Sequence, residues 1–482
     1  MAPIGSESPA GRHLGMWDAV SIIVGIVIGA GIFETAPLIL RNVSGPWAAL
    51  GVWLLGGAMS LVGALCYAEL ATTYPQWGGD YVYLTRAYGR FAGFMFGWAQ
   101  LTVVLTASIG AMAFVFADYA VRLLGLSDAA AFGDLAWPAA LALAAVATLS
   151  AINLAGAVIG SRAQNVLSIL KVLGLAGIVV AGFGWGSAAG WGPPAVAEPG
   201  SVALAMILVL FTYGGWNDCA FVAAEVRDPR RNISRALVVG IACITLIYLL
   251  VNSAYIWGLG FARAGQSSAI AADVLALGLG PWGGKAMALL VIVSALGACN
   301  GLIFAGARIY LRMGTDHTVL AWLGRWHPRL GVPVWSLVVQ AAVSMAMIVL
   351  VGSLWGQRSL NAGLASLGLA PADWSGRGGF ETLVACSAPV FWSFFLLTGV
   401  SLFVLRVKDR DVERPFKVPL YPWVPLAFCA ICIWLLVASL RYIFAVNLQG
   451  GLLVAVSPLA AGAVVYVLTS RGAPGQSASR EE

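Results

Sequence analysis

Apolar runs long enough to cross a lipid bilayer dominate this chain. A membrane-spanning helix needs roughly 20 apolar residues, and about twelve stretches reach that length. They cover residues 16–40, 46–73, 91–124, 135–156, 162–185, 201–225, 233–260, 282–313, 333–352, 380–405, 421–444 and 450–470. Only 10% of the 482 residues are charged, against roughly 25% in soluble domains. The sequence therefore predicts an all-α membrane protein with twelve transmembrane helices.

The basic residues predict how these helices are oriented. With a cytoplasmic N-terminus, 19 of the 27 Lys and Arg residues fall on the cytoplasmic side, 7 fall outside and Lys171 lies within a span. Cytoplasmic loops of membrane proteins carry such an excess, so the net charge of +6 indicates topology and not a nucleic-acid partner. We expect cytoplasmic tails at residues 1–15 and 471–482, and a location in the inner (cell) membrane.

The chain lacks the patterns of a metal site, a cofactor site or an enzyme. Its seven cysteines are scattered through apolar segments without a CxxC pair, which is typical of small buried side chains. No Walker-type loop occurs, and "GAGIF" lacks the third glycine and the preceding strand of a dinucleotide fingerprint. The sequence predicts no cofactor, no metal and no catalytic activity.

Glycines interrupt two of the apolar runs, "IGAGIF" at 28–33 and "FTYGGWND" at 211–218. A glycine inside a helix costs about 1 kcal/mol relative to alanine, and an unwound turn in hydrocarbon needs partners for its backbone groups. The alternative reading is close helix packing through small residues. Because the first and sixth helices enter from opposite sides, matched breaks indicate an inverted repeat with a substrate site at the midplane. Free N–H groups would bind the carboxylate of an amino acid, and free carbonyls would bind its ammonium group.

Several segments together resemble one transporter family. They are "VGIVIGAGIF", "ALCYAELATTYPQWGGDYVYL", "FTYGGWNDCAFVAAEVRDPRRNISRAL", "ACNGLIFAGARIYLRM" and "ERPFKVPLYPWVP". This set resembles the amino acid–polyamine–organocation superfamily, and within it the bacterial relatives of the L-type amino-acid transporters. The resemblance implies a LeuT-like fold with two inverted five-helix repeats, at residues 16–185 and 201–405, and two further helices at 421–470. It also implies alternating access to a site between the discontinuous first and sixth helices.

The substrate-binding residues are predicted at the two breaks. They are Ile28, Gly29, Ala30, Gly31 and Ile32 in the first helix, and Phe211, Tyr213, Gly214, Gly215, Trp216 and Asn217 in the sixth. By resemblance, Phe211 is an aromatic gate over the substrate. Ala30 stands where the family has the serine of a Gly-Ser-Gly break, so the backbone donor is kept and a hydroxyl is lost.

Lys171 is the lysine predicted to lie deep within a span. It follows the cytoplasmic end of its helix by about nine residues, or roughly 13 Å at 1.5 Å per residue, and intramembrane charges are usually functional. The resemblance implies that Lys171 replaces a sodium ion and braces the first break with help from Ser294. We therefore expect sodium-independent activity. Proton carriage by Lys171 is the alternative role.

Two acidic residues are predicted near cytoplasmic helix ends. Glu69 and Glu225 are candidates for an inner gate with arginines such as Arg162, Arg230 and Arg231. The alternative is a solvated charge at the end of a helix.

The leading functional hypothesis is a sodium-independent secondary transporter of neutral L-amino acids that works as an exchanger or a proton symporter. Asp218, also a gating candidate, leaves open a cationic amino-acid or polyamine carrier, a proton site or a vestibule residue. A non-transporting amino-acid sensor is the further alternative. The loop between the third and fourth helices, "LGLSDAAAFGD", has no cysteine, so we expect no covalent heavy chain there.

Overall fold

Helices occupy nearly all of the apolar stretches, and the first and sixth stretches are broken. The computed structural model describes residues 13–126, 130–132, 134–187, 191, 202–267, 269–366, 368, 379–445 and 449–470. The predicted tail at 471–482, and the predicted N-terminal tail up to residue 12, lie outside these residues, as does part of the loop between the third and fourth spans.

In the first half of the chain, the described residues form eight α-helices and one short hairpin. The helices are α1 (Met16–Val27), α2 (Gly31–Arg41), α3 (Pro46–Thr73), α4 (Asp80–Tyr88), α5 (Arg90–Ala99), α6 (Leu105–Leu124), α7 (Trp137–Leu154) and α8 (Ala157–Trp185). A π-helical turn, Gln100–Val104, joins α5 to α6. The antiparallel strands β1 (Ala130–Phe132) and β2 (Leu135–Ala136) precede α7.

In the part of the second half that the structure describes there are ten α-helices. They are α9 (Val202–Thr212), α10 (Pro229–Leu259), α11 (Phe261–Gln266), α12 (Ile270–Leu279), α13 (Gly283–Asp316), α14 (Val334–Gly352), α15 (Leu354–Ser366), α16 (Gly379–Lys408), α17 (Trp423–Ala445) and α18 (Gln449–Ser470). A 3₁₀ segment, Trp216–Glu225, continues the span that α9 begins. Two more short 3₁₀ turns are Gly280–Trp282 and Thr318–Leu320.

Ten helical segments among the described residues are long and apolar enough to cross a membrane. The count rises to eleven when α1 and α2, which meet at an angle of 55°, are taken as one broken span. In α18 the apolar helix covers only Val456–Leu468. The multi-pass character predicted from the sequence is confirmed, while the twelfth span, the inverted repeat and the orientation of the termini stay predictions.

The broken helices lie in the interior of the bundle. In α1, every residue from Ala19 to Val27 except Ser21 is buried. The spans Arg90–Leu124 and Ile270–Asp316 are the most enclosed, with 78% of their apolar windows buried, against 22% for Trp423–Phe444. Because α1 packs against α8, α10 and α13, side chains from all three can reach its unwound end.

Candidate substrate-binding site

The first break leaves three backbone donors without a protein partner. α1 ends at Val27 and α2 begins at Gly31. Within the described residues, the N–H groups of Ala30, Gly31 and Ile32 find no backbone acceptor. The positive end of the α2 dipole lies at the same point, and such a helix start favours an anion.

Side chains from three neighbouring helices bind the carbonyls of the first break. Lys171 Nζ on α8 donates to Gly25 O at 2.7 Å. Ser294 Oγ on α13 donates to Ile28 O at 2.9 Å and also lies 3.3 Å from Gly29 O. Tyr248 Oη on α10 donates to Val27 O at 3.2 Å. These donors satisfy carbonyls that the interrupted helix would otherwise leave unpaired in the membrane interior.

The sixth span is broken by a different device. Gly215 has φ = 104°, in the left-handed region that glycine enters without a steric penalty. The N–H of Gly214 donates to Phe211 O at 3.1 Å, which closes a tight turn after α9. Tyr213 Oη donates to Trp53 O at 3.1 Å and anchors the turn to α3.

The two breaks contact each other. A Cβ at Gly215 would lie 2.6 Å from Ile26 Cγ2, and a Cβ at Gly31 would lie 3.2 Å from the Thr212 side chain. Tyr248 Oη also donates to Thr212 O at 3.1 Å, so this hydroxyl bonds to both broken spans. The predicted convergence of the breaks is therefore present in the fold.

Both breaks open into one cavity of about 200 Å³. It is mostly apolar. Leu210, Phe211 and Thr212 at the end of α9 line it, and it extends from the breaks to Phe380 at the start of α16. Eight of the residues predicted from the sequence line it: Gly29, Ala30, Gly31, Phe211, Gly214, Gly215, Asn217 and Asp218. Ile28, Ile32, Tyr213 and Trp216 do not line it. A cavity of this size fits an amino acid better than a drug-sized ligand, for which pockets of roughly 300–1,000 Å³ are usual.

Trp216 lies outside the cavity in an aromatic cluster on its closed side. Its ring centroid is 5.2 Å from that of Tyr67 and 5.6 Å from that of Phe395. Phe211, by contrast, lines the cavity, is 40% exposed and has the ring of Phe380 at 6.3 Å. Of these two predicted aromatic residues, Phe211 alone has the position of a lid.

Most of the wall comes from helices in which sequence analysis singled out no substrate residue. The third span contributes Gln100, Val104, Leu105, Ser108, Ala111 and Met112, α13 contributes Ala298 and Leu302, and α16 contributes Phe380, Val384, Ser387, Ala388, Phe391 and Trp392. These helices are apolar on most sides, so periodicity does not mark the face that meets the cavity. The π turn at Gln100–Val104 is a further departure from α-helix beside the site, and such turns often occur at functional sites.

The opposite end of the bundle, where α1 begins, is closed by buried ion pairs. Glu225 receives two hydrogen bonds from Arg308, at 2.8 and 3.1 Å. Glu69 receives two from Arg406, at 2.8 and 2.5 Å. The N-terminal segment closes over this end, because Leu14 N–H donates to Glu225 O at 3.0 Å.

The gate partners predicted from the sequence are wrong. Arg230 pairs with the exposed Glu413 at 2.9 Å, and Arg162 lines a separate groove between α7 and α8. Arg231 forms no ion pair within 4.0 Å among the described side chains. Their predicted place on the cytoplasmic side suggested these arginines, whereas the fold brings Arg308 and Arg406 to the two carboxylates.

Asp218 and Asn217 form the polar floor of the cavity. Asn217 Nδ2 donates to Asp218 Oδ1 at 3.0 Å, and both residues are buried. Asn217 Oδ1 has no hydrogen-bond partner among the described residues. Asp218 thus faces the substrate space and also bonds to a polar neighbour, which combines two of the alternatives left open by the sequence.

Comparison with known proteins agrees with this architecture. Residues 14–468 match the model of the family described as amino acid permease. The chain is 28% identical to the human b(0,+)-type amino acid transporter 1 over 439 residues, which is 89% of this chain and 82% of the relative. It is 28% identical to the mouse Asc-type amino acid transporter 1 and 29% identical to the human large neutral amino acids transporter small subunit 2, with 89% of this chain and 76% of each relative covered.

These relatives are transporters and not enzymes, and the family match over residues 14–468 includes both broken spans. The resemblance predicted from the segments "VGIVIGAGIF" and "FTYGGWND" is confirmed. The chain belongs to the amino acid permease family.

Proposed function

We propose that this protein is a sodium-independent secondary transporter that moves neutral L-amino acids across the membrane by alternating access. The observation that carries the proposal is the meeting of two interrupted helices at one cavity of amino-acid size. Three free N–H groups, those of Ala30, Gly31 and Ile32, are the site we assign to the substrate carboxylate. The relatives' names, which specify amino acid transport, support the same substrate class.

Sodium independence rests on the position of Lys171. Its side chain is fully buried and its Nζ lies 2.7 Å from Gly25 O beside the first break. An ammonium at this point supplies a positive charge and binds a backbone carbonyl oxygen by a hydrogen bond, where a sodium ion would bind it by coordination. We assign Lys171 and Ser294 as the permanent brace of the break.

Alternating access follows from the contrast between the two ends of the bundle. The cavity extends to Phe380 at the start of α16, while the Glu225–Arg308 and Glu69–Arg406 ion pairs close the other end. Under the predicted topology this is an outward-facing arrangement. Transport requires these ion pairs to separate while Phe211 closes over the substrate.

A carrier of cationic amino acids or polyamines is the second candidate. Asp218 favours it, since the carboxylate lines the cavity and no Lys, Arg or His nitrogen lies within 4.0 Å of it among the described side chains.

One relative is named a small subunit. We propose that this chain needs no covalent heavy chain at the loop between the third and fourth spans.

Uptake by purified protein in liposomes tests the proposal. Labelled neutral amino acids should accumulate or exchange equally well when external sodium is replaced by choline. Strict sodium dependence would contradict the role of Lys171, preference for lysine or putrescine would favour the second candidate, and binding without any flux would indicate a sensor.

The Phe211→Ala variant tests the site itself. Removing the aromatic lid should reduce uptake at least tenfold while the amount of folded protein stays unchanged. Phe183→Ala is the matched control, because Phe183 is 41% exposed and has one aromatic neighbour, Trp257, at 5.8 Å, but lies far from the cavity on α8. Equal losses in both variants would show that Phe211 acts only through packing.

A further inference from the structure

Four carboxylates are buried in the described part of the chain, and they fall into two classes. Glu69, Asp80, Asp218 and Glu225 are each at most 6% exposed. Glu69 and Glu225 each bind an arginine through two hydrogen bonds. Asp80 and Asp218 have no Lys, Arg or His nitrogen within 4.0 Å among the described side chains. Of these two uncompensated carboxylates, Asp218 lines the cavity.

Asp80 begins α4 and is held by neutral hydroxyls. Tyr67 Oη donates to Asp80 Oδ1, and Thr398 Oγ1 donates to the same oxygen at 2.7 Å. The second oxygen, Oδ2, is buried without a hydrogen-bond partner among the described residues. Burial raises the pKa of the Asp80 carboxyl to about 6, although the hydrogen bonds from Tyr67 and Thr398 lower it.

The two aspartates occupy adjoining segments. Gly78 N–H donates to Phe221 O at 3.1 Å, and a Cβ at Gly79 would lie 3.1 Å from the carbonyl carbon of Ala220. The start of α4 therefore rests on the 3₁₀ segment that contains Asp218, which brings Asp80 and Asp218 into neighbouring turns of the packed backbone.

Among the described side chains, no Lys, Arg or His pairs with these two aspartates from the elements packed around them. The titratable groups near it are Tyr67 on α3, Tyr83 on α4, Cys219 in the 3₁₀ segment and Tyr310 on α13. All are neutral at physiological pH. Tyr83 Oη and Asn217 Oδ1 are also buried without partners among the described residues, so the region has an unused hydrogen-bond donor and an unused acceptor.

Two neighbouring carboxylates without a cation cannot both stay ionised in a medium of low dielectric constant. A shared proton removes one charge, and the remaining charge is then stabilised by the hydroxyl donors. Because Asp218 lines the cavity and Asp80 lies toward the closed end of the bundle, the pair connects the two sides that alternate in transport.

We propose that Asp218 and Asp80 share one proton and that this proton crosses the membrane with the amino acid. The inference rests on the proposed function and selects proton symport over pure exchange. A proton from water in the cavity bonds to a carboxylate oxygen of Asp218. After the cavity opens to the other side, the pair returns one proton to water there, so one amino acid and one proton have moved and both carboxyls regain their starting state.

Flux in liposomes with a pH-sensitive dye inside tests the proposal. With the membrane potential held at zero, an inward gradient of one pH unit should drive about tenfold accumulation of a neutral amino acid, since one proton equilibrium shifts tenfold per unit. The dye should report about one proton per amino acid. In Asp218→Asn and Asp80→Asn this ratio should fall to near zero, whatever uptake rate remains. Asp273→Asn, on α12 and bonded to Ser267, is the control and should keep the wild-type ratio.

An infrared measurement supplies a readout that does not depend on transport. The folded wild-type protein should show the band of a protonated carboxyl group at neutral pH, and Asp218→Asn should lose or shift it. If Asp80→Asn does not fold, this band and the Asp218→Asn flux ratio still decide the matter.

The outcomes separate the two proposals. Absence of any amino-acid uptake or exchange in the wild type would overturn the proposed function. Amino-acid exchange with no accompanying proton flux would leave that function standing and overturn the proton inference. Loss of lysine or arginine uptake alone in Asp218→Asn, without a proton signal in the wild type, would also overturn it, because the carboxylate would then bind a cationic side chain.

Discussion

The two broken spans hold their unwound turns in place by different means. At the first break, donors on three other helices, Lys171, Ser294 and Tyr248, bind the exposed carbonyls of α1. At the sixth break, the turn is built locally by the left-handed backbone of Gly215, with the Tyr213 hydroxyl as an anchor on α3.

This difference has consequences for how each break tolerates change. The first break keeps its shape because the surrounding scaffold pairs its backbone groups, so its own residues can vary. The sixth break keeps its shape because one residue adopts a conformation that L side chains rarely adopt. At the first break, substitution should therefore be tolerated at Gly29, and the sensitive residues lie on other helices. At the sixth break, substitution should not be tolerated at Gly215.

The largest effect is expected from Gly215→Ala. An alanine would combine a positive φ with a Cβ 2.6 Å from Ile26, which we expect to cost about 2–4 kcal/mol. Gly29→Ala is the control, since its nearest contact would be Met112 Sδ at an ordinary 3.5 Å. Thermal unfolding measured on both variants would contradict the comparison if the two losses of stability were equal.

Lys171→Met should have the next largest effect. It removes a hydrogen bond from a charged donor to Gly25 O, worth about 1.5–3 kcal/mol, so we expect amino-acid affinity to fall roughly tenfold to a hundredfold. The same substitution at the exposed Lys285 should change affinity little. Equal affinities in wild type and Lys171→Met, measured by equilibrium binding, would show that the first break holds its shape unaided.

Tyr248→Phe tests the hydroxyl that bonds to both breaks. Loss of its contacts with Val27 O and Thr212 O should lower stability by about 1–2 kcal/mol. Tyr255→Phe, on the same helix, is a close control because the Tyr255 hydroxyl is buried without a partner among the described residues. Thermal unfolding should therefore separate the two variants, and a larger loss in Tyr255→Phe would contradict the bridging role.

Ser294→Ala should have the smallest effect of the series. Its hydroxyl bonds mainly to Ile28 O at 2.9 Å, and its removal should cost about 1 kcal/mol, or roughly fivefold in affinity. Ser344→Ala removes a buried hydroxyl with no partner among the described residues and should be nearly neutral. Binding titrations would sharpen the comparison by ranking Ser294 against Lys171 at the same break.

Local sequence predicted the breaks well because their cause is local. Several predicted helix boundaries differ from the observed ones by a few residues. The span predicted at residues 46–73, however, matches α3, which is Pro46–Thr73. The unwound turns at Ile28–Ala30 and Tyr213–Gly215 coincide with the glycine clusters, since glycine weakens a helix wherever it occurs.

Partners across the bundle were harder to predict. Glu225 pairs with Arg308, 83 residues away, and Glu69 pairs with Arg406, 337 residues away. An arginine that is nearby in sequence, such as Arg230, faces another surface. The charges alone could not distinguish these cases, because the pairing depends on which helix faces pack together.

The sequence by itself determined that the chain spans a membrane, where its helices run and which two of them are interrupted. Hydrophobic length and glycine placement act over one or two turns, and the membrane admits few alternatives to helix. The tertiary structure alone decided which faces line the cavity, which carbonyls Lys171, Ser294 and Tyr248 bind, and that Asp80 and Asp218 adjoin without a cation. Those features arise from contacts between helices far apart in the chain, and a uniformly apolar sequence does not encode them in any local pattern.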